Sequence, residues 1–297
     1  MNTVRSVSLL LSLVLFPLIV AAQSPGTSKI DQILGRTGQK TGDVYKVGFP
    51  RTDLHVVVQG VAIKPGLALG SWAAFTGTGD NAMVMGDLVL LQDEVNPVME
   101  KLRAAGFEVS AVHNHLLEET PRVMYMHYMG HGSAEQLATS LRGALAVSKT
   151  PLGAPAASAA EPSTPPDWTQ TVNDTLGRQG TLKGGVLSFG IPRAGAITLS
   201  GMTVMPAAGV AESINFQEAS AGKVATTGDF VLTAAEVNPV ISALEEHHIS
   251  VTALHSHMLE EQPRLFFMHF WAVASTDSVA AGIKAALGHI ALKEDVK

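Results

Sequence analysis

No cysteine occurs among the 297 residues. That excludes a disulfide scaffold, a thiolate metal ligand, a cysteine nucleophile and a lipid-bearing amino-terminal cysteine. Any metal must therefore be held by nitrogen and oxygen. Beyond Val20 no segment is apolar enough to span a bilayer. Positive charge is not in surplus either. The formal net charge is -6, and cutting after Ala22 would remove Arg5 and no acid, leaving -7, a balance that argues against a nucleic-acid partner. Nowhere is there a phosphate loop, a Gly-x-Ser-x-Gly elbow or a His-Glu-x-x-His helix, so the usual sequence signs of nucleotide, serine-esterase and zincin chemistry are missing.

The amino-terminal stretch has Arg5 as its only charge, an apolar run over residues 7–20 and small residues at Ala21-Ala22. It reads as a secretory signal peptide over residues 1–22, with a retained signal anchor as the alternative. The expectation is a periplasmic or secreted protein with no stable membrane span after cleavage. The remaining chain, 46% apolar overall, can build one large or two medium cores.

Two stretches 142 positions apart, residues 113–127 and 255–269, agree at nine positions, including every His, both Glu, the Pro and the Arg. The offset holds elsewhere. Residues 30–38 match 172–180, Pro50-Arg51 matches Pro192-Arg193, Gly86-Asp87 matches Gly228-Asp229, and residues 94–98 recur as 236–240. This register means two copies of one domain rather than a solenoid. Expected bounds are residues 28–148 and 167–292, joined by a Pro/Ala/Ser-rich flexible linker over 149–166.

Within each copy the pattern predicts a short helix ending at Gly35, strands over residues 44–49, 54–63, 71–76 and 83–91, and a helix capped by Asn96 with Pro97 first. Strands over 107–115 and 122–129 and a helix over 134–147 follow. The fold class is α+β: two tandem copies with a mixed, mainly antiparallel sheet and interspersed helices, related by a pseudo-two-fold axis.

Period-two alternation puts Val109, Ala111, His113 and His115 on one face. With a turn centred on Thr120, His113 opposes His127, and a turn at Gln262 does the same for His255 and His269. A slip of one residue would separate them. Three imidazoles would then cluster in each copy, with Glu118 or Glu119 reaching inward from the turn. This set resembles the cupin metal motif, a His-x-His pair, a later Glu and a later His. The resemblance covers the ligands and not the fold, since Phe107 and Met126 stand where cupins have glycine. It implies Glu119 and Glu261 by their three-residue spacing. The expected metal sites are thus His113, His115, Glu119 and His127, and His255, His257, Glu261 and His269. Such sites suit divalent zinc, manganese, iron or copper, and with an open position for water they would suit a metal-dependent hydrolase or oxygen-using enzyme.

Other readings stand beside this one. The hairpin histidines could serve structure, a metal-free polar or acid/base site, or a pH-responsive element. The chain could then be a non-catalytic periplasmic ligand-binding or interaction module for a small molecule. Arg51, Arg193, Arg122 and Arg264 could grip an anion or pair with Glu118, Glu119 or Asp87. Asp87 and Asp229 read equally as turn or catalytic residues, and Glu94, Glu236, Asn96 and Asn238 as helix caps. His55, His131, His247, His248 and His289 have no counterpart in the other copy and read as surface or packing residues. Trp72 also stands in copy one alone, so the copies differ in ligand or competence.

Residues 111–122 and 253–264, with the Gly-Asp and Glu-Val-Asn-Pro-Val segments upstream, resemble the LppY/LpqO family of exported bacterial proteins over nearly the whole chain beyond residue 22. The resemblance implies export and a doubled domain. It assigns no catalytic residue, and the family's lipoprotein members differ from this cysteine-free chain.

Overall fold

The structure, a computed structural model, describes residues 25–153 and 164–294; the expected signal peptide and most of the linker lie outside them. In the first repeat the order is α1 (Pro25–Leu34), β1 (Gln39–Thr41), β2 (Val44–Pro50), β3 (Val57–Val58), β4 (Val61–Ala62), α2 (Pro65–Ala68), β5 (Gly70–Thr78), β6 (Asn81–Leu91), α3 (Gln92–Ala104), β7 (Glu108–His113), β8 (Val123–Gly132) and α4 (Ala134–Leu145). The second repeat follows as α5 (Asp167–Leu176), β9 (Thr181–Lys183), β10 (Val186–Pro192), β11 (Thr198–Leu199), β12 (Met202–Thr203), a 3-10 turn at Pro206–Ala208, β13 (Ala211–Ser220), β14 (Lys223–Leu232), α6 (Ala234–Glu246), β15 (Ser250–His255), β16 (Phe266–Ser275) and α7 (Thr276–Leu287).

Each repeat builds one six-stranded antiparallel sheet, in the orders β1-β2-β5-β6-β8-β7 and β15-β16-β14-β13-β10-β9. Both faces of these sheets are covered, and for that reason residues 82–90 of β6 are buried without a break. Tyr45, Val47, Phe49, Val84, Leu88, Met126 and Tyr128 point to one face, where Ile30, Leu34, Val98, Leu102 and Leu141 of α1, α3 and α4 seal them. The opposite face meets the other repeat: Val44, Met83, Met85 and Met129 pack with Val210, Val231, Met258 and Phe267, while Val89, Val123 and Tyr125 pack with Val186, Ala225 and Trp271. The result is four layers, helices outside and two sheets face to face.

Reciprocal hydrogen bonds show the pseudo-two-fold relation. Ser110 Oγ donates to the His257 carbonyl (2.5 Å), and Thr252 Oγ1 donates to the His115 carbonyl (2.6 Å). Ser110 and Thr252 are equivalent positions, as are His115 and His257. Such exchange of identical contacts is what a two-fold interface produces.

Several expectations need correcting. The helix after β6 starts at Gln92, so Asn96 is no cap and Pro97 lies in its second turn at the loss of one ladder bond. The cap is Glu94, whose carboxylate accepts the Leu91 N–H at 2.8 Å, as Glu236 does for Thr233 at 2.7 Å. Residues 54–63 are not one strand. Gln59 (φ 48°) and Gly60 (φ 83°) turn the chain, and Ser200 and Gly201 do the same in the second repeat. The tight β3–β4 hairpin so made clasps the histidine turn through two backbone bonds between Val57 and Thr120. The 142-residue offset also breaks once: Trp72 opposes Asp87, whereas Ser213 opposes Asp229, which places these partners 141 positions apart. A bulge between Glu218 and Ser220 restores the register.

Three of the four arginines that could have gripped an anion, Arg51, Arg193 and Arg264, face their own repeat's carboxylates instead, whereas Arg122 is exposed. Arg51 is fully buried, with Nη1 2.7 Å from Glu94 and 2.8 Å from the Val89 carbonyl and Nη2 2.9 Å from Asp53. Arg193 pairs with Glu236 at 3.0 Å. Burial alone would raise Glu236, yet Arg193 and the N–H groups of Ala291 and Thr233 hold it down at about 2.

Candidate metal centre

The histidine hairpin is built differently from its strict alternation. β7 carries a bulge between Val109 and Ala111, and β15 one between Val251 and Ala253. Val109 therefore faces the helices and leaves the histidine face, while the bulged residues Ser110 and Thr252 aim their hydroxyls across to the other repeat. Ala111 opposes His127 and His113 opposes Tyr125, so the hairpin centres on Glu119 and not Thr120. Its twin pairs Ala253 with His269 and His255 with Phe267, centred on Glu261 instead of Gln262. Moving the centre by one residue shifts the pairing by two. Parity survives, so His113 and His127 still share a face.

That face is the one the other repeat covers, so the six histidines do not form two separate sites. His113 stacks on His255 with ring centroids 3.7 Å apart, His115 on His269 at 3.6 Å, and His127 lies 3.7 Å from His257. Tyr125 and Phe267 back His115 and His257 at 3.3 and 3.4 Å. Ligand-capable atoms come within 4.8 Å of one another in three groups: His113, His115 and His269; His113, His127 and His255; and Asp229, His255 and His257. Two of the three mix residues of both repeats.

The carboxylates at this centre are Asp87 and Asp229, not the expected glutamates. Asp87 Oδ2 lies 3.3 Å from His115 Nε2, and Asp229 Oδ2 lies 2.9 Å from His257 Nε2. Neither aspartate is in a turn: both sit mid-strand, in β6 and β14. The glycine before each is there for closeness, since a Cβ on Gly86 would come within 2.3 Å of the Trp72 carbonyl and Tyr128 hydroxyl, and one on Gly228 within 2.0 Å of the Ser213 carbonyl. Glu119 and Glu261 stay in the turn and join none of the three groups. Glu261 accepts the Leu265 N–H at 2.9 Å and meets Arg264 at 3.3 Å. The repeated Gly-Asp pair was the available signal for the aspartates.

Backbone carbonyls set the ring orientation. A carbonyl can only accept, so His269 Nδ1–H donates to Gly228 (2.6 Å) and His257 Nδ1–H to Gly209 (3.1 Å), while His127 bonds the Gly86 backbone. Each Nε2 is thereby left for the cluster, the arrangement that metal-binding histidines use. Burial, then neighbouring imidazoles, pushes His113 down to about 2 and carries His115, His127 and His255 downward too. Burial also lowers His269, against the opposing pull of Asp229. Burial and then Asp229 raise Asp87. Neutral imidazoles are the ligand form.

These shifts fix a pH dependence. Folded-state values below the ordinary 6.5 mean that the unfolded chain takes up protons at these histidines first as pH falls, so their contribution to the stability of metal-free protein is complete above about pH 6.5 and is lost below it, with the raised Asp87 acting in the opposite direction. Thermal unfolding in chelator between pH 8 and 5 should show a falling Tm, with a shallower fall in His113→Gln/His255→Gln. A flat Tm over that window would contradict buried neutral imidazoles.

A cavity of about 220 Å³ opens onto the cluster and straddles the pseudo-two-fold axis. Asp87, Asp229, His115, His127, His257 and His269 are among the polar residues that line it.

Residues 28–147 and 170–289 each match the family described as Domain of Unknown Function (DUF1259), and the chain belongs to that family. No curated protein matches. Among solved structures, the trimeric bacterial microcompartment shell protein PduB aligns at 12% identity and TM-score 0.21, covering 85% of this chain and 88% of that one. EtuB from Clostridium kluyveri aligns at 10% identity and TM-score 0.19, covering 85% and 90%. Among the described residues no helix is long and apolar enough to cross a membrane.

Proposed function

We propose that the chain is an exported protein of the LppY/LpqO kind, with a signal peptide over residues 1–22 and repeats at 28–148 and 167–292, that holds divalent metal in one composite centre between its repeats. The supporting observation is a concentration of buried nitrogen and oxygen atoms that find no hydrogen-bond partner. Nε2 of all six histidines, Nδ1 of His113 and His255, and Oδ1 of Asp87 and Asp229 are all of this kind. Buried polar atoms are otherwise paired almost without exception, and leaving one unpaired costs about 1–3 kcal/mol. Coordination satisfies them together. Their nitrogen and oxygen chemistry suits zinc, manganese, iron or copper(II), and the cavity leaves one side of the centre approachable, as catalytic metal sites require.

Elemental analysis after metal-replete folding should find at least about one divalent ion per chain, and at 100 times its Kd that ion should stabilise the fold by about 2.7 kcal/mol relative to chelated protein. Less than about 0.2 ion per chain, with a Tm indifferent to chelator, would defeat the proposal.

A further inference from the structure

The cavity is pseudo-symmetric in its histidines and aspartates but not in what faces them. Gly70 and Ala211, Asp87 and Asp229, His115 and His257, and His127 and His269 line it as equivalent pairs. Against these, repeat one contributes Lys46 and Trp72. The corresponding positions in repeat two are Ser188, which does not line the cavity, and Ser213, which does. Lys46 is placed there by strand parity: Tyr45, Val47 and Phe49 of β2 face the helices, so Val44 and Lys46 face the other repeat.

Lys46 Nζ sits 3.9 Å over the Trp72 ring and has no hydrogen bond or ion pair among the described residues. Trp72 is itself fixed. Its ring lies against Gly209, where a Cβ would come within 2.5 Å of it, and the Gly209 carbonyl is the one that orients His257. An ammonium with three donors, set on an indole face and lining a cavity, needs an acceptor. Burial brings Lys46 down to about 8, against the opposing pull of Asp87.

We infer that the cavity binds a small organic carboxylate, its anionic end held by Lys46 Nζ, its body against the Trp72 ring and Leu67, and its remaining face turned to the histidine–aspartate centre. The inference rests on the metal reading to the extent that a bound cation offsets the charge of Asp87 and Asp229. The apolar wall supplied by Trp72, Leu67 and Ala68 distinguishes an organic acid from inorganic phosphate, which would leave that wall unused. One lysine and one tryptophan on one side of the axis give the ligand a single orientation.

Calorimetric titration of the full chain with benzoate and with inorganic phosphate tests this, with metal content measured on every sample. Saturable benzoate binding is expected, with phosphate at least about ten-fold weaker. Lys46→Met should weaken benzoate at least about ten-fold, whereas Lys46→Arg stays within about three-fold because the charge and donors persist. Lys46→Gln gives the same reading should the Met variant not fold. Absent saturation, phosphate binding tighter than benzoate, or Lys46→Met and Lys46→Gln titrating like the parent would each overturn the inference. Full metal content without Lys46-dependent benzoate binding sinks this inference alone. Lys46-dependent binding in protein that holds less than about 0.2 ion per chain after metal-replete folding sinks the metal reading alone.

Discussion

His113→Ala combined with His255→Ala should abolish metal binding, taking the content from at least about one ion per chain to below about 0.2. The pair contributes one residue from each repeat, and together they enter all three ligand groups: His113 the first two, His255 the last two. His269→Ala sharpens the test. If each repeat held its own ion, this substitution would leave the repeat-one histidines fully competent. In the composite centre His269 groups with His113 and His115, so that group fails although the altered residue belongs to the other repeat. Metal titrations should show the weakening directly, and losing one ligating or orienting group commonly costs 10–100-fold in affinity. A His269→Ala protein that retained both the full content and the affinity of the parent would refute the composite arrangement.

Arg51→Met should destabilise the fold by about 3–5 kcal/mol without changing metal content. Its guanidinium is fully buried between Asp53, Glu94 and the Val89 carbonyl, so its removal strands the Glu94 carboxylate, which also caps α3 and accepts the Lys149 N–H at 2.7 Å. Urea unfolding should show the midpoint falling with little change in slope. Adding Glu94→Gln should cost less than the sum of the two single changes, because the second removes a charge the first left unpaired. If Arg51 were instead an anion grip, Arg51→Met would leave stability nearly intact, and that result would contradict the ion-pair role.

Much of the scaffold could be read from the residues. The duplicated register gave two copies, and alternation with Gly and Asp punctuation located β2, β5 and β6 within a residue or two and β8 within three. The histidine face was legible because parity survives a two-residue change in pairing. The bulge at Ser110 was not, since a bulge needs only one extra residue and no special type; the matching hydroxyl residue at Thr252 was its one trace. Nor could alternation say what covers a sheet. Residues 82–90 carry apolar side chains toward both faces, with Asp87 among them, and only the fold shows that one face meets helices while the other meets the second repeat. Two half-sites looked self-sufficient for that reason. Gly86-Asp87 suggested a turn because glycine is usually argued from its backbone freedom, whereas here it makes room for Tyr128.

The covalent joining of the repeats has a consequence for how such a centre can change. In a dimer of identical chains every substitution appears on both sides of the axis, so a lysine facing the cavity would arrive with a twin whose charge repels it. Tandem fusion removes that constraint. One half can keep Ser188 and Ser213 while the other carries Lys46 and Trp72, and the shared imidazoles need not alter at all. Polarity of recognition, the power to tell one end of a bound molecule from the other by where it lies, is denied to a two-fold symmetric vessel and becomes available to a chain that contains both halves of its own interface.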